Sequence, residues 1–289
     1  AVTASSAGIG PMIPPSSPMI LYSAVTGTSL GALFLAGLIP GILLGLSQMA
    51  IVAWLARRYG WRPYAGFSWR EIVRAGWRAA LSFGLPIIIV GGLVIGVFTP
   101  TEASAFAAVY AIFLACVVYR VLNGRELYRV FVNAVQLTGE LLLIVSLSFA
   151  LGWGLANAHV PEILARGIDQ LVIVDSQYLR ILSLVILAII AGMILDPLIP
   201  VLLPIILPTL LLYQIDLVHF GVLMVIAVVI GQVTPPMAIA LVIAGRIAAV
   251  DQLRVFRANL PFLWGMLGFL LLIMAVPELA TWLPSVVRD

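Results

Sequence analysis

Two short stretches of this sequence hold the residues most able to do chemistry. "GIGPMIPPSSP" at residues 8–18 and "GQVTPPMAIA" at 231–240 each set a Pro-Pro pair inside apolar sequence. Aligned on the prolines, Gly10-Pro11-Met12-Ile13-Pro14-Pro15 falls on Gly231-Gln232-Val233-Thr234-Pro235-Pro236, so both read G-x-x-x-P-P. Proline removes a backbone donor and clashes with the preceding turn, so two in series end one half-helix and begin another. The carbonyls of the first half and the amides of the second are left without helical partners. At membrane depth lipid cannot satisfy them, and such backbone persists only where it lines a polar cavity or binds an ion. Carbonyl oxygens at a half-helix end suit a hard cation such as Na⁺, and the amide end of the next half suits an anionic group. The glycine four residues before the first proline lets another backbone or the ion come close.

The elements that must position these breaks are membrane helices. Hydrophobic residues make up 63% of the 289 and charged residues 9%, with a mean hydropathy of +1.18, a balance that excludes a water-soluble domain. Apolar segments recur at 18–29, 32–56, 81–98, 101–119, 138–156, 178–195, 198–213, 217–233, 237–248 and 260–283, which reads as an all-α polytopic membrane protein. The organisation expected is a broken helix at 1–31, a helix with a cytoplasmic connector at 32–80, and helices with an amphipathic arm at 81–137. A half carrying a re-entrant hairpin and the second broken helix follows at 138–259, and a last transmembrane helix at 260–289. The chain opens at Ala1 with neither a positive leader nor a cleavage signal, and reads as N-terminally truncated.

All 15 basic residues are arginine. Twelve fall in three connectors, around Arg57–Arg78, Arg120–Arg129 and Arg246–Arg257, and positive-inside bias puts these in the cytoplasm. Arg166, Arg180 and Arg288 are left on the far side, with the C-terminus, provided that 178–195 and 198–213 form a hairpin entering from outside. "SWREIVRAGWRAAL" and "GRELYRVFVNAVQ" read as amphipathic helices on the cytoplasmic surface, facing anionic lipid.

Other marked residues have structural explanations beside functional ones. "FTPTEA" makes Thr99 an N-cap, Pro100 the first helical residue and Glu102 the third, a capping-box pattern, and the same carboxylate between apolar runs is a candidate proton or cation site. Asp196 in "LDPL" caps a helix at the tip of the expected hairpin, where a carboxylate is costly and so a functional candidate. Ser5, Ser6 and Ser16 flank the first break as hydroxyls for substrate or ion. Glu140 is expected near a helix N-terminus. His159 and His219 are too far apart for a metal site and read as structural, and Cys116, the single cysteine, excludes an intramolecular disulfide. Neither a nucleophile with its base nor H-E-x-x-H is present, so an intramembrane enzyme is disfavoured. Nothing points to nucleic acid.

Paired, Gly/Pro-interrupted segments in two halves are the sequence mark of a secondary transporter built from inverted repeats. "IPPSSPMILYSAVTGTSLGALFLAGLIPGILL", "GGLVIGVFTPTEASAFAAVYA", "GMILDPLIPVLLPIILP", "VHFGVLMV" and "GQVTPPMAIAL" together resemble, in content and order, the large membrane subunit of tripartite ATP-independent periplasmic (TRAP) transporters of the dicarboxylate type. The resemblance implies an elevator mechanism in the bacterial inner membrane, driven by Na⁺ as coupling ion with no other cofactor. It further implies a small membrane subunit and a periplasmic binding protein that delivers an organic acid. By the same resemblance one Na⁺ site involves Gly10, Ile13 and Pro15, largely through carbonyls, and its mirror involves Gly231, Thr234 and Pro236 near the Asp196 hairpin. The alternatives are a stand-alone carboxylate or anion carrier of related architecture and a non-transporting assembly subunit.

Overall fold

The structure, a computed structural model, describes residues 1–61, 68–171, 176–195 and 197–288, with the backbone alone at Arg78, Leu171 and Arg288. In chain order the helices are α1 (Val2–Ser6, extended by a 3-10 turn over Ala7–Ile9), α2 (Ser17–Thr26), α3 (Leu30–Tyr59), α4 (Trp69–Pro86), α5 (Gly92–Val94), α6 (Pro100–Phe113) and α7 (Gly124–Asn157). They continue as α8 (Val160–Leu171), α9 (Gln177–Gly192), α10 (Leu198–Leu212), α11 (Leu217–Gln232), α12 (Ile239–Ala248), α13 (Gln252–Ala275) and α14 (Glu278–Arg288). No strand occurs among the described residues.

Local chemistry sets many of these boundaries. Ser16 is extended and its hydroxyl accepts the Met19 N–H, which starts α2, and Gly27 in the left-handed region ends it. Asp216 starts α11 by accepting the His219 N–H at 2.7 Å, and Asp251 starts α13 through Leu253 at 3.1 Å. Thr99 and Glu102 form the expected capping box at the start of α6, the Glu102 carboxylate accepting from the Thr99 N–H and hydroxyl, both at 2.8 Å.

Four helical stretches among the described residues are long and apolar enough to cross a membrane: Leu30–Tyr59, Pro100–Val118, Gly124–Asn157 and Gln252–Ala275. Trp69–Trp77 and Ala79–Val94 together make a further candidate, bent by 58°. α9, α10, α11 and α12 have 16, 15, 16 and 10 residues, short of the roughly 20 that a span needs.

Three expectations shift. The arginine-bearing segment at 124–136 and the apolar segment at 138–156 are one helix, α7, because the lone Gly139 between them does not stop it. Glu140 therefore lies in a helix interior, exposed, and not at an N-terminus. The last apolar helix begins at Gln252, taking Arg254 and Arg257 into its opening turns, and ends at Ala275 because Pro277 forces Val276 out of helical geometry. Beyond Pro277 the amphipathic α14 is a separate helix and not the continuation of a span to 283.

The chain divides into two compact units, Ala1–Leu55 with Ile144–Asp289, and Ala56–Leu143. In the second, α4, α6 and the π-helical turn between α4 and α5 pack together, with the Tyr110 hydroxyl donating to the Leu81 carbonyl at 2.8 Å. The first is built around α11, which is buried on every side from His219 to Gly231, as a helix apolar all round must be. α9, α13, α2 and α14 surround it, and α9 and α10 touch each other and both touch it. His219 is 4% exposed, with Nε2 at 2.9 Å from the Ile273 carbonyl, a satisfied structural histidine. His159, at positive φ, pairs with Glu162 at 3.7 Å.

Candidate functional site at two interlocked helix breaks

Both G-x-x-x-P-P segments interrupt helices where expected. At the first, α1 tightens into its 3-10 turn and the Met12 and Ile13 N–H groups both donate to the Ile9 carbonyl, at 3.1 and 3.2 Å. The chain then turns through a cis Pro14–Pro15 bond into the Ser16 cap of α2. At the second, Val233 N–H donates to Ile230 O at 3.2 Å and Thr234 N–H to Gly231 O at 3.1 Å, closing α11. A cis Pro235–Pro236 bond and a left-handed Ala238 lead into α12.

The breaks are packed crosswise. α1, the first half of one element, touches α12, the second half of the other, and α2 touches α11. Each half therefore meets the opposite half of its counterpart. The Tyr22 hydroxyl, fully buried on α2, donates to Leu217 O at the start of α11 at 2.8 Å. Met237 N–H donates to Met193 O at 3.2 Å and ties the second break to the end of α9.

Among the described residues the carbonyls of Gly10, Ile13, Pro15, Thr234 and Pro236 accept no hydrogen bond, whereas Gly231 O is taken by Thr234 N–H. The Thr234 hydroxyl donates to Ile230 O at 2.6 Å, which leaves its own lone pairs available as acceptors. Gly231 meets the backbone of α9 so closely that an added Cβ would lie 2.6 Å from both C and O of Gly192. Gly10 is exposed, and its Cβ would meet only Ala7 O at 3.5 Å. The close approach anticipated for both glycines is thus made at the second break alone among the described residues. The first break is pressed instead against α3, where a Cβ on Gly41 would fall 2.7 Å from Ile13 Cγ1.

The remaining candidates are dispersed. Ser16 is buried, its hydroxyl donating to Pro11 O while capping α2. Ser5 is buried and donates to Asn259 Oδ1 on α13, and Ser6 is exposed, donating to Thr3 O at 3.1 Å. Thr99 and Glu102 belong to the other unit and serve the capping box. Asp196 lies outside the described residues, as does Arg62 of the first connector. Three contributors were not anticipated: Gly192, Tyr22 and Asn259. Asn259 had a signal, being an amide at the edge of the apolar run of α13, but a glycine and a tyrosine among apolar residues have none.

Fold and site together define a polytopic α-helical membrane protein with paired discontinuous helices. Residues 1–279 match the family described as tripartite ATP-independent periplasmic transporter, DctM component. The chain is 35% identical over 286 residues to the sialic acid TRAP transporter large permease protein SiaM of Vibrio cholerae, covering 98% of this chain and 66% of that protein. It is 34% identical over 279 residues to the C4-dicarboxylate TRAP transporter large permease protein DctM of Pseudomonas aeruginosa, covering 96% and 65%. It is 33% identical over 280 residues to the isethionate TRAP transporter permease protein DctMQ of Oleidesulfovibrio alaskensis, covering 96% and 44%. The chain belongs to the DctM-component family of TRAP transporters, a family of transport proteins and not of enzymes. It spans just under two thirds of the length of SiaM and of DctM.

Proposed function

We propose that this chain is part of the translocating membrane subunit of a Na⁺-coupled secondary transporter that imports organic acids delivered by a periplasmic binding protein. The observation that carries the reading is the crosswise pair of helix breaks with carbonyls left open on both. Backbone of this kind at membrane depth needs a cation or a polar cavity, and two such breaks in pseudo-symmetric halves are how secondary transporters build midplane sites. One Na⁺ is held by carbonyls of Gly10, Ile13 and Pro15. The other is held at Gly231, Thr234 and Pro236, with the Thr234 hydroxyl as a further oxygen and the Asp196 hairpin adjacent.

The relatives' names specify sialic acid, C4-dicarboxylate and isethionate, and all three are organic anions. The shared chemistry supports an anionic cargo, with the half-helix amide ends and nearby hydroxyls as its receptors. A separate or fused small membrane subunit completes the assembly. In this reading the unit holding both breaks and the α9–α10 hairpin moves as an elevator, the hairpin being re-entrant from the periplasmic side. The protein lies in the inner membrane with its C-terminus in the periplasm. A stand-alone carrier of the same architecture is distinguished by its indifference to a binding protein. Uptake of labelled organic acids into proteoliposomes, with each component withheld in turn, tests the assignment: loss of uptake on removing either Na⁺ or the binding protein is expected.

A further inference from the structure

Between α1, α3 and α13 lies a cavity of about 300 Å³, at the lower end of the range for small-molecule sites. Its walls are apolar, with Ile9, Val52 and Phe262 prominent, and two polar side chains line it, Ser6 and Gln48. Gln48 is 4% exposed, and both its Nε2 and its Oε1 are buried without a hydrogen-bond partner among the described residues. A buried amide left unpaired at both ends carries the full desolvation penalty of each group, and so marks a place where something else supplies the partners.

What supplies them is constrained by chemistry. Oε1 needs a donor and Nε2 an acceptor. A single hydroxyl meets both needs, whereas a carboxylate only accepts and an ammonium only donates. No charged side chain lines the cavity, and its walls suit an aliphatic chain. Met49, at 67% exposure, stands on the apolar stripe of α3 with Ile42 and Leu46, so the cavity is reached from the apolar phase around the protein. Its volume suits one chain and not a two-tailed lipid. We propose that this cavity is a binding site for a single-chain aliphatic alcohol, the hydroxyl bridging both ends of the Gln48 amide and the chain lying against Ile9, Val52 and Phe262. Occupancy would pin α1, the entry to the first break, against α3.

The test is photolabelling of the full-length permease in proteoliposomes with a diazirine-bearing octanol, mapped by mass spectrometry of the α3 peptide containing Gly45–Ala53. The expected result is labelling that n-octanol suppresses and that n-octane or octanoate at equal concentration does not. Gln48→Leu removes the unpaired amide and should fold at least as stably. It should lower labelling about thirtyfold, the factor that two hydrogen bonds of about 1 kcal/mol each contribute. Gly45→Leu, which fills the cavity while keeping Gln48, should block labelling. The site is overturned by labelling indifferent to both variants, by equal competition from n-octane, or by adducts spread evenly along the exposed stripe of α3.

Discussion

Gly231 and Gly10 hold matched places in the two breaks and meet different surroundings. Because a Cβ at Gly231 would lie 2.6 Å from the Gly192 backbone, Gly231→Ala should destabilise by about 1–3 kcal/mol, as overpacking of a rigid contact does. Gly10 has helical φ and open space, so Gly10→Ala should stay within about 0.5 kcal/mol, the usual range for a surface change. Thermal unfolding of the two variants in one detergent checks the contrast, and equal losses would contradict it. Thr234→Ala should raise the Na⁺ concentration for half-maximal uptake severalfold, about the loss of one oxygen partner, while leaving the maximal rate near wild type. An unchanged sodium titration would remove Thr234 from the site. Spacing alone marked both glycines as places of close approach, which holds at Gly231 and fails at the exposed Gly10. That the approaching backbone is Gly192 depends on how α9 folds back on α11, which no local pattern encodes. The Ser5 hydroxyl was legible as a polar group near the break, but not as the partner of Asn259, 254 positions away.

At the scale of elements, the halves of the broken helices are held by caps and by a few directed hydrogen bonds. Tyr22→Phe removes the bond from α2 to Leu217 O at the head of α11 and leaves that half-buried carbonyl with one partner fewer. Its expected cost is about 1 kcal/mol, read by thermal unfolding, and no loss would show that packing alone joins α2 to α11. Thr99→Ala should cost about 1 kcal/mol through the capping box of α6, with the Na⁺ titration unmoved. A shifted titration would return Glu102 to the set of candidate cation ligands. The cap and proline of α6 were readable because Thr, Glu and Pro act within a turn of themselves, and the starts of α2 and α11 fell within a residue of the apolar segments that marked them. The continuity of α7 and the early start of α13 were not readable, because polarity changes along both helices without any residue that stops a helix. Charge there marks where a helix leaves the apolar phase, not where it ends.

In the whole molecule, a Pro-Pro pair repeated in two places becomes a pair of interlocked helix breaks within one compact unit. Membership in the DctM-component family places that geometry among proteins of membrane transport. Hydropathy made the helical membrane class legible, and repetition of G-x-x-x-P-P made the paired halves legible. The crosswise contact of α1 with α12 and of α2 with α11 is a property of the packed chain alone. Whether the breaks couple Na⁺ to organic acid movement is decided by uptake into proteoliposomes. The full-length subunit, its small partner and a binding protein would be reconstituted, and labelled acid followed with and without an inward Na⁺ gradient. Accumulation is expected only with the gradient, and Gly231→Leu should abolish it. Gradient-independent accumulation, or full activity in that variant, would contradict the coupling.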